Sequence, residues 1–210
     1  MTRNIVFGLV GDPISKSLSP AMHNAALAHL KVRARYKLFP LKENELESFF
    51  AGLDKNGIKG LNITIPYKET IFKYVKGRLN SAVSYIGAAN TVVVGSNGEL
   101  KFFNTDYLGF LRHIRELNIR PENAAIIGAG GASKAICFAL GRKKAKKVAI
   151  FDIDHYRSLS VMKRFNHIFP STEFRAVSSV EELRIKDKDF LVNASSVGMN
   201  PKDPLLISCE

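Results

Sequence analysis

The 210-residue sequence contains no tryptophan and only two cysteines, Cys137 and Cys209. Two cysteines cannot build the disulfide framework of a small secreted domain, so we expect a reducing, cytoplasmic location. No apolar run approaches the roughly 20 residues that span a bilayer, and the first residues lack the apolar segment of a signal peptide. These scarcities exclude disulfide-rich and membrane-spanning classes and predict a globular protein without a membrane partner.

Acidic residues are also scarce, since 19 Asp and Glu stand against 31 Lys and Arg, a formal net charge of +12 at pH 7. Such a balance favours anionic partners, among which nucleic acid must be considered. The densest basic cluster, residues 142–147, falls at the end of a predicted helix, where cations suit the helix dipole. It has no interleaved aromatic residues, and the sequence shows no zinc-ligand spacing. We therefore expect an anionic cofactor and a carboxylate substrate, with no nucleic acid and no metal.

Residues 124–154 are predicted to form a strand, a glycine-rich turn, a helix and a second strand. The turn consists of Gly128, Ala129, Gly130, Gly131, Ala132 and Ser133. Glycines allow a phosphate to approach the backbone, and the N-terminus of the following helix is positively polarised. Asp152, about 20 residues further on, is placed to accept a bond from a ribose hydroxyl. The pattern predicts a dinucleotide-binding unit, although a closely packed glycine turn without a ligand is the alternative, because Ser133 replaces the third glycine.

Strands and helices alternate along the whole chain, which predicts an α/β fold with mostly parallel sheets. Strands are predicted over residues 4–10, 35–39, 60–66, 92–94, 100–103, 124–127, 148–152, 174–176 and 189–193. Helices are predicted over residues 19–30, 43–55, 80–86, 107–117, 134–140, 155–169 and 180–183, with Ser19 as an N-cap and a further short helix opening at Lys68. We place a boundary at residue 106, giving two domains, 1–106 and 107–210.

Several polar side chains lie near the ends of predicted strands in the first domain: Ser17, Ser19, Asn62, Thr64, Lys68, Asn90 and Asp106. Ligands in open α/β sheets bind at the carboxyl ends of strands. Each residue also has a simpler explanation when taken alone. The serines suit a turn or a helix cap, Lys68 suits a solvated helix surface, and Asp106 suits the cap of the following helix.

Six motifs occur together in one order along nearly the whole chain. They are Ser17-Leu18-Ser19-Pro20, Asn62-Ile63-Thr64-Ile65-Pro66-Tyr67-Lys68, Gly87-Ala88-Ala89-Asn90-Thr91, Asn104-Thr105-Asp106, the glycine turn at 128–133, and Asn193-Ala194-Ser195-Ser196-Val197-Gly198. In this set and order the sequence resembles the shikimate dehydrogenase family. The resemblance implies a substrate-binding catalytic domain followed by a Rossmann domain. It also implies reversible reduction of 3-dehydroshikimate to shikimate with NADPH, a step of chorismate and aromatic amino-acid biosynthesis.

The resemblance assigns roles to the polar residues. Lys68 and Asp106 would form the catalytic pair, and Ser17 and Ser19 would hold the substrate carboxylate. Ring hydroxyls would be bound by Thr64, Asn90 and Asp106, with Asn62 beside them. The cofactor would lie against the glycine turn, the segment Asp152, Ile153 and Asp154, and the loop residues Ser195 and Val197.

The sequence departs from the family at the end of the second Rossmann strand. NADP-using members resemble Asn-Arg-Thr there, whereas this chain has Asp152, Ile153 and Asp154. A carboxylate accepts hydrogen bonds from the free 2′-hydroxyl of NAD and repels the 2′-phosphate of NADP, so we favour NAD. Arg157 and Lys147 are near enough in sequence to rescue binding of the phosphate. NAD use resembles the quinate/shikimate dehydrogenase branch, which makes quinate a possible second substrate.

The family that the chain resembles also continues beyond the point corresponding to Glu210. Its last segment carries a Tyr-Asn-Pro stretch, a glycine near the nicotinamide, a glutamine that contacts the substrate, and helices that pack on the first domain. We therefore expect a C-terminally truncated member, monomeric or homodimeric, with an incomplete nicotinamide pocket and exposed apolar surface. The alternative is a non-catalytic protein that binds a dinucleotide or shikimate. The truncation favours this alternative, whereas the presence of both Lys68 and Asp106 disfavours it.

Overall fold

The computed structural model describes residues 5–207, so Cys209 and residue 4, the predicted start of the first strand, lie outside the described residues. The chain divides into two compact units, Met1–Thr105 and Asp106–Glu210. Both units are mixtures of helices and predominantly parallel strands, which confirms the predicted α/β class.

Over residues 5–105, six strands form one sheet in the order β2-β1-β3-β5-β6-β4. The strands are β1 (Ile5–Gly11), β2 (Ala34–Pro40), β3 (Ile58–Ile63), β4 (Arg78–Leu79), β5 (Thr91–Val94) and β6 (Leu100–Phe103). Strand β1 runs parallel to both β2 and β3. Strand β5 is antiparallel to both β3 and β6. Its direction relative to β6 follows from the short turn at residues 95–99, because so short a connection can only join antiparallel strands.

The helices of the first unit are shorter than predicted. They are α1 (Ser19–His29), α2 (Leu46–Ala51), α3 (Ile71–Tyr74) and α4 (Ser81–Ile86). The predicted helix over residues 43–55 is wrong in extent, because it begins as a 3-10 turn at Glu43–Glu45 and stops at the C-cap Gly52, after which turns carry the buried Leu53 into the core.

Two local predictions near the candidate site are also wrong. Ser19 is the first residue of α1 and not its N-cap, which is Leu18, and no side chain caps this helix. Lys68 does not open a helix, because residues 65–70 form turns and α3 begins only at Ile71. Ser19 therefore lies in the first turn of α1, and Lys68 lies on the loop that follows β3.

A large apolar core lies against one face of this sheet, where α2 and α3 contribute Leu46, Phe50 and Ile71. Strand residues Ile63 and Phe102 are also fully buried in this cluster. A smaller cluster of Leu9, Ile14 and Tyr36, with the half-buried Leu27 of α1 packed against it, lies on strands β1 and β2. The sheet is therefore covered by α1 near β2 and by the other helices on the main core.

In the second unit, residues 106–207 contain a four-stranded, fully parallel sheet in the order β10-β7-β8-β9. The strands are β7 (Asn123–Ile127), β8 (Lys147–Phe151), β9 (Glu173–Val177) and β10 (Phe190–Asn193), and the helices are α5 (Asp106–Glu116), α6 (Gly131–Arg142) and α7 (His155–Ile168). The predicted helix over residues 180–183 is a 3-10 turn, Glu181–Leu183. In chain order the strands lie 4-1-2-3, so the direction of winding reverses between β7 and β10, the arrangement of half a Rossmann fold.

Helix α6 is the most deeply buried helix of this unit, with seven of its residues inside. Cys137 lies in it fully buried, and burial raises the pKa of its thiol to about 12, so it behaves as the small apolar core residue that the sequence predicts. Among the described residues, no helix is long and apolar enough to cross a bilayer.

Two helical glycines of the second unit provide a paired stability test. A Cβ on Gly109 of α5 would meet no atom within 4 Å, whereas a Cβ on Gly141 of α6 would lie 2.3 Å from the ring of Phe169. We expect Gly109→Ala to raise the free energy of unfolding by about 0.5–1 kcal/mol, because alanine favours helix. We expect Gly141→Ala to lower it by about 1–3 kcal/mol through overpacking. Denaturant unfolding measures both, and a stabilising Gly141→Ala would contradict the packing described here.

Candidate active site

Ser17, on the loop that joins β1 to α1, lies beside Ser19, the first residue of α1. The Ser17 hydroxyl donates to the Ser19 hydroxyl at 3.1 Å and accepts the Ser19 backbone N–H at 3.2 Å. Both side chains are half-buried, so they remain open to a ligand. Two neighbouring hydroxyls with an ordered backbone are suited to bind one small anion, such as a carboxylate.

A buried phenol that the sequence analysis did not single out lies next to these serines. Tyr36 of β2 is 5% exposed, and its O–H donates to Oδ1 of Asn62 on β3 at 2.7 Å. Burial raises the pKa of Tyr36 to about 12, while a hydrogen bond from Ser19 opposes that shift. The phenol therefore holds Asn62 from strand β2. In the sequence Tyr36 looks like an ordinary apolar strand residue, so no local signal marks it.

Asn62 projects from β3 towards the neighbouring strand. Its Nδ2 lies 3.4 Å from the backbone oxygen of Asn90 and 3.4 Å from the hydroxyl of Thr91. Thr64 follows directly after the end of β3, where its N–H continues the ladder by donating to Val10 O at 2.9 Å. Asn62 and Thr64 are both half-buried, at the carboxyl end of this strand.

Lys68 and Asn90 are brought together by backbone contacts. The carbonyl of Lys68 accepts the N–H of Ala89 at 2.8 Å, which places Lys68 beside the start of β5. Asn90, only 8% exposed, accepts the N–H of Thr105 at 2.8 Å and donates its Nδ2 to the Thr105 hydroxyl at 2.8 Å. The amide of Asn90 thus holds the loop that leads directly into Asp106, the first residue of α5.

The glycine turn of the second unit lies at the reversal between β7 and β10. Gly128 has a φ of +100°, and a Cβ there would lie 2.8 Å from the backbone of Ala194 and Ser195. Only glycine satisfies both the conformation and the close approach. Helix α6 begins at Gly131, and its cap residue, Gly130, has no side chain to occupy the first-turn N–H groups. Backbone N–H groups at such a helix N-terminus are suited to bind phosphate.

Asp152 lies just beyond the carboxyl end of β8 and contacts this turn. Its Oδ2 accepts the N–H of Ala129 at 2.6 Å, and its Oδ1 accepts the N–H of Asp154 at 2.9 Å. Each carboxylate oxygen retains a further lone pair for a ribose hydroxyl. Asp154 itself caps α7 by accepting the Tyr156 N–H at 3.0 Å, and Ile153 between them is 97% exposed.

The remaining residues predicted for the cofactor differ in their exposure. Ser133 is fully buried in α6, and its hydroxyl makes no hydrogen bond within the described part of the chain. Its small side chain packs at the position of the third glycine in the dinucleotide-binding pattern, so only its backbone can face a ligand. Ser195 and Val197 lie in the loop after β10, which Asn193 closes by accepting the Ser195 N–H at 3.0 Å and donating to Val197 O at 2.8 Å.

The carboxylate of Asp203 continues this loop. It accepts the backbone N–H groups of Gly198 and Asn200 at 2.7 and 3.0 Å, and these bonds hold the pKa of Asp203 below its usual value. Within residues 5–207, no three His, Cys, Asp or Glu side chains come together as metal ligands would.

The fold and these sites define a two-domain α/β protein with a Rossmann dinucleotide-binding unit. The family model of the shikimate dehydrogenase substrate binding domain matches residues 9–92. The chain is 38% identical over 200 residues to the shikimate dehydrogenase (NADP(+)) of Caldanaerobacter subterraneus subsp. tengcongensis, covering 94% of this chain and 70% of that protein. The chain therefore belongs to the shikimate dehydrogenase family, as the sequence motifs predict.

Solved structures agree with this membership. The crystal structure of shikimate dehydrogenase from Aquifex aeolicus superposes with a TM-score of 0.86 at 31% identity, covering 99% of this chain and 74% of that one. The shikimate 5-dehydrogenase of Listeria monocytogenes, solved with shikimate and NAD, gives a TM-score of 0.83 at 30% identity, covering 96% and 72%.

Gly128 and Gly98 together separate backbone strain from loss of the phosphate turn. Both have positive φ, but a Cβ on Gly98, in the β5–β6 turn, would meet nothing within 4 Å. We expect Gly98→Ala to cost about 1–2 kcal/mol of stability from the left-handed conformation, without changing dinucleotide binding. Gly128→Ala should cost more and should abolish detectable NAD and NADP binding by calorimetry. A Gly128→Ala protein that binds either dinucleotide normally would contradict the close approach of this turn.

Proposed function

We propose that this protein is a shikimate dehydrogenase that interconverts 3-dehydroshikimate and shikimate with a nicotinamide dinucleotide. Family membership supports the reaction class, and the observation that carries the assignment of residues is the hydrogen-bonded link from Lys68 through Ala89 and Asn90 to Thr105. That link brings an ammonium-bearing residue to the loop immediately preceding Asp106. The backbone of Lys68 is thus anchored, through Ala89 and Asn90, to the residue that precedes Asp106 in the chain.

The substrate would be held from two ends. Ser17 and Ser19 would bind its carboxylate, since their hydroxyls lie 3.1 Å apart. Thr64, with Asn62 beside it, would bind ring hydroxyls from the end of β3. Asn90 bonds to both the N–H and the hydroxyl of Thr105, and it would contact a ring hydroxyl from the loop that these bonds hold.

Reduction of the ketone adds a hydride at carbon and a proton at oxygen. The cofactor, when bound, supplies the hydride. Negative charge then develops on the ketone oxygen, and the ammonium of Lys68 would stabilise it and donate the proton. Asp106 would hold the ammonium and accept a bond from the neighbouring hydroxyl. In the reverse direction, the neutral amine of Lys68 would remove the hydroxyl proton as hydride leaves the carbon.

The direct test is the appearance of reduced nicotinamide absorbance from shikimate with NAD or NADP, with quinate as a second substrate. Turnover with shikimate supports the proposal, and turnover with quinate as well assigns the protein to the quinate/shikimate branch. Binding of shikimate and dinucleotide without turnover would instead support a non-catalytic binding protein.

Lys68→Ala should lower kcat by about 10²- to 10⁴-fold, because general acid catalysis contributes effects of this size. Asp106→Asn should lower kcat similarly, since it keeps the shape and removes the charge. Dinucleotide affinity should change little in either variant. Lys73→Ala, which removes an exposed lysine of α3 five residues away, is the matched control and should keep full activity. Near-normal turnover in Asp106→Asn would show that Asp106 is not catalytic and only begins helix α5.

We further propose that NAD is preferred over NADP, although the Caldanaerobacter relative is named for NADP(+). Asp152 supports this preference, because a carboxylate next to the turn accepts bonds from a free 2′-hydroxyl and repels a 2′-phosphate. The same carboxylate also holds Ala129 of the glycine turn. Its two functions, charge and hydrogen-bond acceptance, can be separated by substitution.

Asp152→Asn retains an acceptor for the Ala129 N–H and removes the charge, whereas Asp152→Ala removes both. We expect Asp152→Asn to shift the NADP-to-NAD ratio of kcat/KM by about tenfold towards NADP, since two like charges about 4 Å apart repel by roughly 1–4 kcal/mol near a surface. Asp152→Ala should weaken binding of both dinucleotides by about tenfold or more through the loosened turn. Glu116→Gln, which removes an equal charge from the exposed end of α5, is the control. A wild-type preference for NADP would refute the preference proposed here.

A further inference from the structure

The phenol of Tyr36 bonds to Asn62, which lies beside Thr64 among the residues to which the proposed function assigns ring contacts. We propose that Tyr36 is a positioning residue that sets the orientation of the Asn62 amide and thereby sets the affinity for shikimate. This inference rests on the proposed function and adds a residue that the sequence motifs do not include.

Tyr36 is itself held rigidly by α1. Its backbone N–H donates to Asn24 Oδ1 at 2.9 Å, and its carbonyl accepts from Asn24 Nδ2 at 3.0 Å. The ring of His23 stacks on the Tyr36 ring with centroids 4.2 Å apart and planes 12° apart. A side chain fixed at the backbone and along one face of its ring has little freedom, so the phenol oxygen is delivered to a defined point.

The bond from Tyr36 decides which way the amide of Asn62 faces. At 2.7 Å the bond to Oδ1 is short, whereas the contacts of Asn62 Nδ2 with Asn90 O and with the Thr91 hydroxyl are both 3.4 Å. Because a phenol O–H can only donate to the oxygen of that amide, Nδ2 is turned away from Tyr36. Without the phenol, the two long contacts would be left to fix the amide.

With its pKa raised to about 12 by burial, the phenol stays protonated near neutral pH and keeps donating to Asn62. The ring-binding end of the site is therefore oriented by a hydroxyl on β2 that lies outside the sequence motifs.

Tyr36→Phe removes that oxygen and keeps the ring that stacks on His23. We expect KM for shikimate to rise about tenfold, because groups that lose a buried partner cost roughly that factor. KM for the dinucleotide should be unchanged, and kcat should stay within about threefold. Calorimetric binding of shikimate should weaken in parallel with KM, which gives a readout independent of turnover.

Tyr67→Phe is the matched control for the loss of a buried phenol bond. Tyr67 is 4% exposed, and its O–H donates to Leu41 O at 2.7 Å in the main core of the same unit. Both variants should lower the unfolding midpoint to a similar extent, and only Tyr36→Phe should change shikimate affinity. Equal effects of the two variants on shikimate KM would assign Tyr36 a structural role and overturn the proposal.

A double-mutant cycle with Asn62→Ala tests the path of the effect. If Tyr36 acts partly through Asn62, the effect of Tyr36→Phe on KM should shrink several-fold in the Asn62→Ala background. Full additivity overturns the proposed orientation of Asn62. If the wild-type chain neither binds nor oxidises shikimate, the proposed function is overturned together with this inference. If the wild-type chain does both and Tyr36→Phe behaves in the same way, only this inference is overturned.

Discussion

The pairing of the Asn90 amide with Thr105 is the interaction on which the first unit's site depends. An amide that is almost fully buried must form hydrogen bonds, since an unmade one costs about 1–3 kcal/mol. Asn90 meets that requirement by binding both the backbone N–H and the hydroxyl of one residue, Thr105, at 2.8 Å. Asn90 is consequently not a loose surface residue, because the loop at Thr105 fixes its side chain. Such fixation is what a site needs in order to hold a polyhydroxylated ring without reorganising.

The second unit obeys a different constraint, which is the distance between two backbones. Gly128 passes so close to the carbonyl of Ala194 that no side chain fits, and the turn continues into the uncapped start of α6. Asp152 secures the same turn through Ala129 and lies where a ribose is expected. One carboxylate therefore combines support of the turn with a negative charge, two functions that different substitutions at this position separate.

Membership of the shikimate dehydrogenase family follows from 38% identity over most of the chain and from solved relatives with TM-scores above 0.8. A shared fold leaves open which cofactor and which polyol a member uses, because those choices depend on a few side chains. We propose that Asp152 decides the first choice and that Tyr36 and Asn62 contribute to the second. The Listeria relative solved with shikimate and NAD is compatible with either nicotinamide dinucleotide being used within the family.

The sequence by itself determined the α/β class, the glycine turn and the candidate polar residues, because these depend on local features: strand periodicity, glycines at fixed spacing and short motifs. It placed Ser19 as a helix cap and Lys68 in a helix, and both placements were wrong, since neighbouring loop contacts outweigh local propensity at such positions. Only the tertiary structure decided the partners of Tyr36, which lies 26 residues from Asn62 and reaches it across β1 because β2 and β3 flank that strand. Likewise, Ala129 and Asp152 meet because β7 and β8 pair side by side, a contact that depends on strand order and register and not on any local pattern.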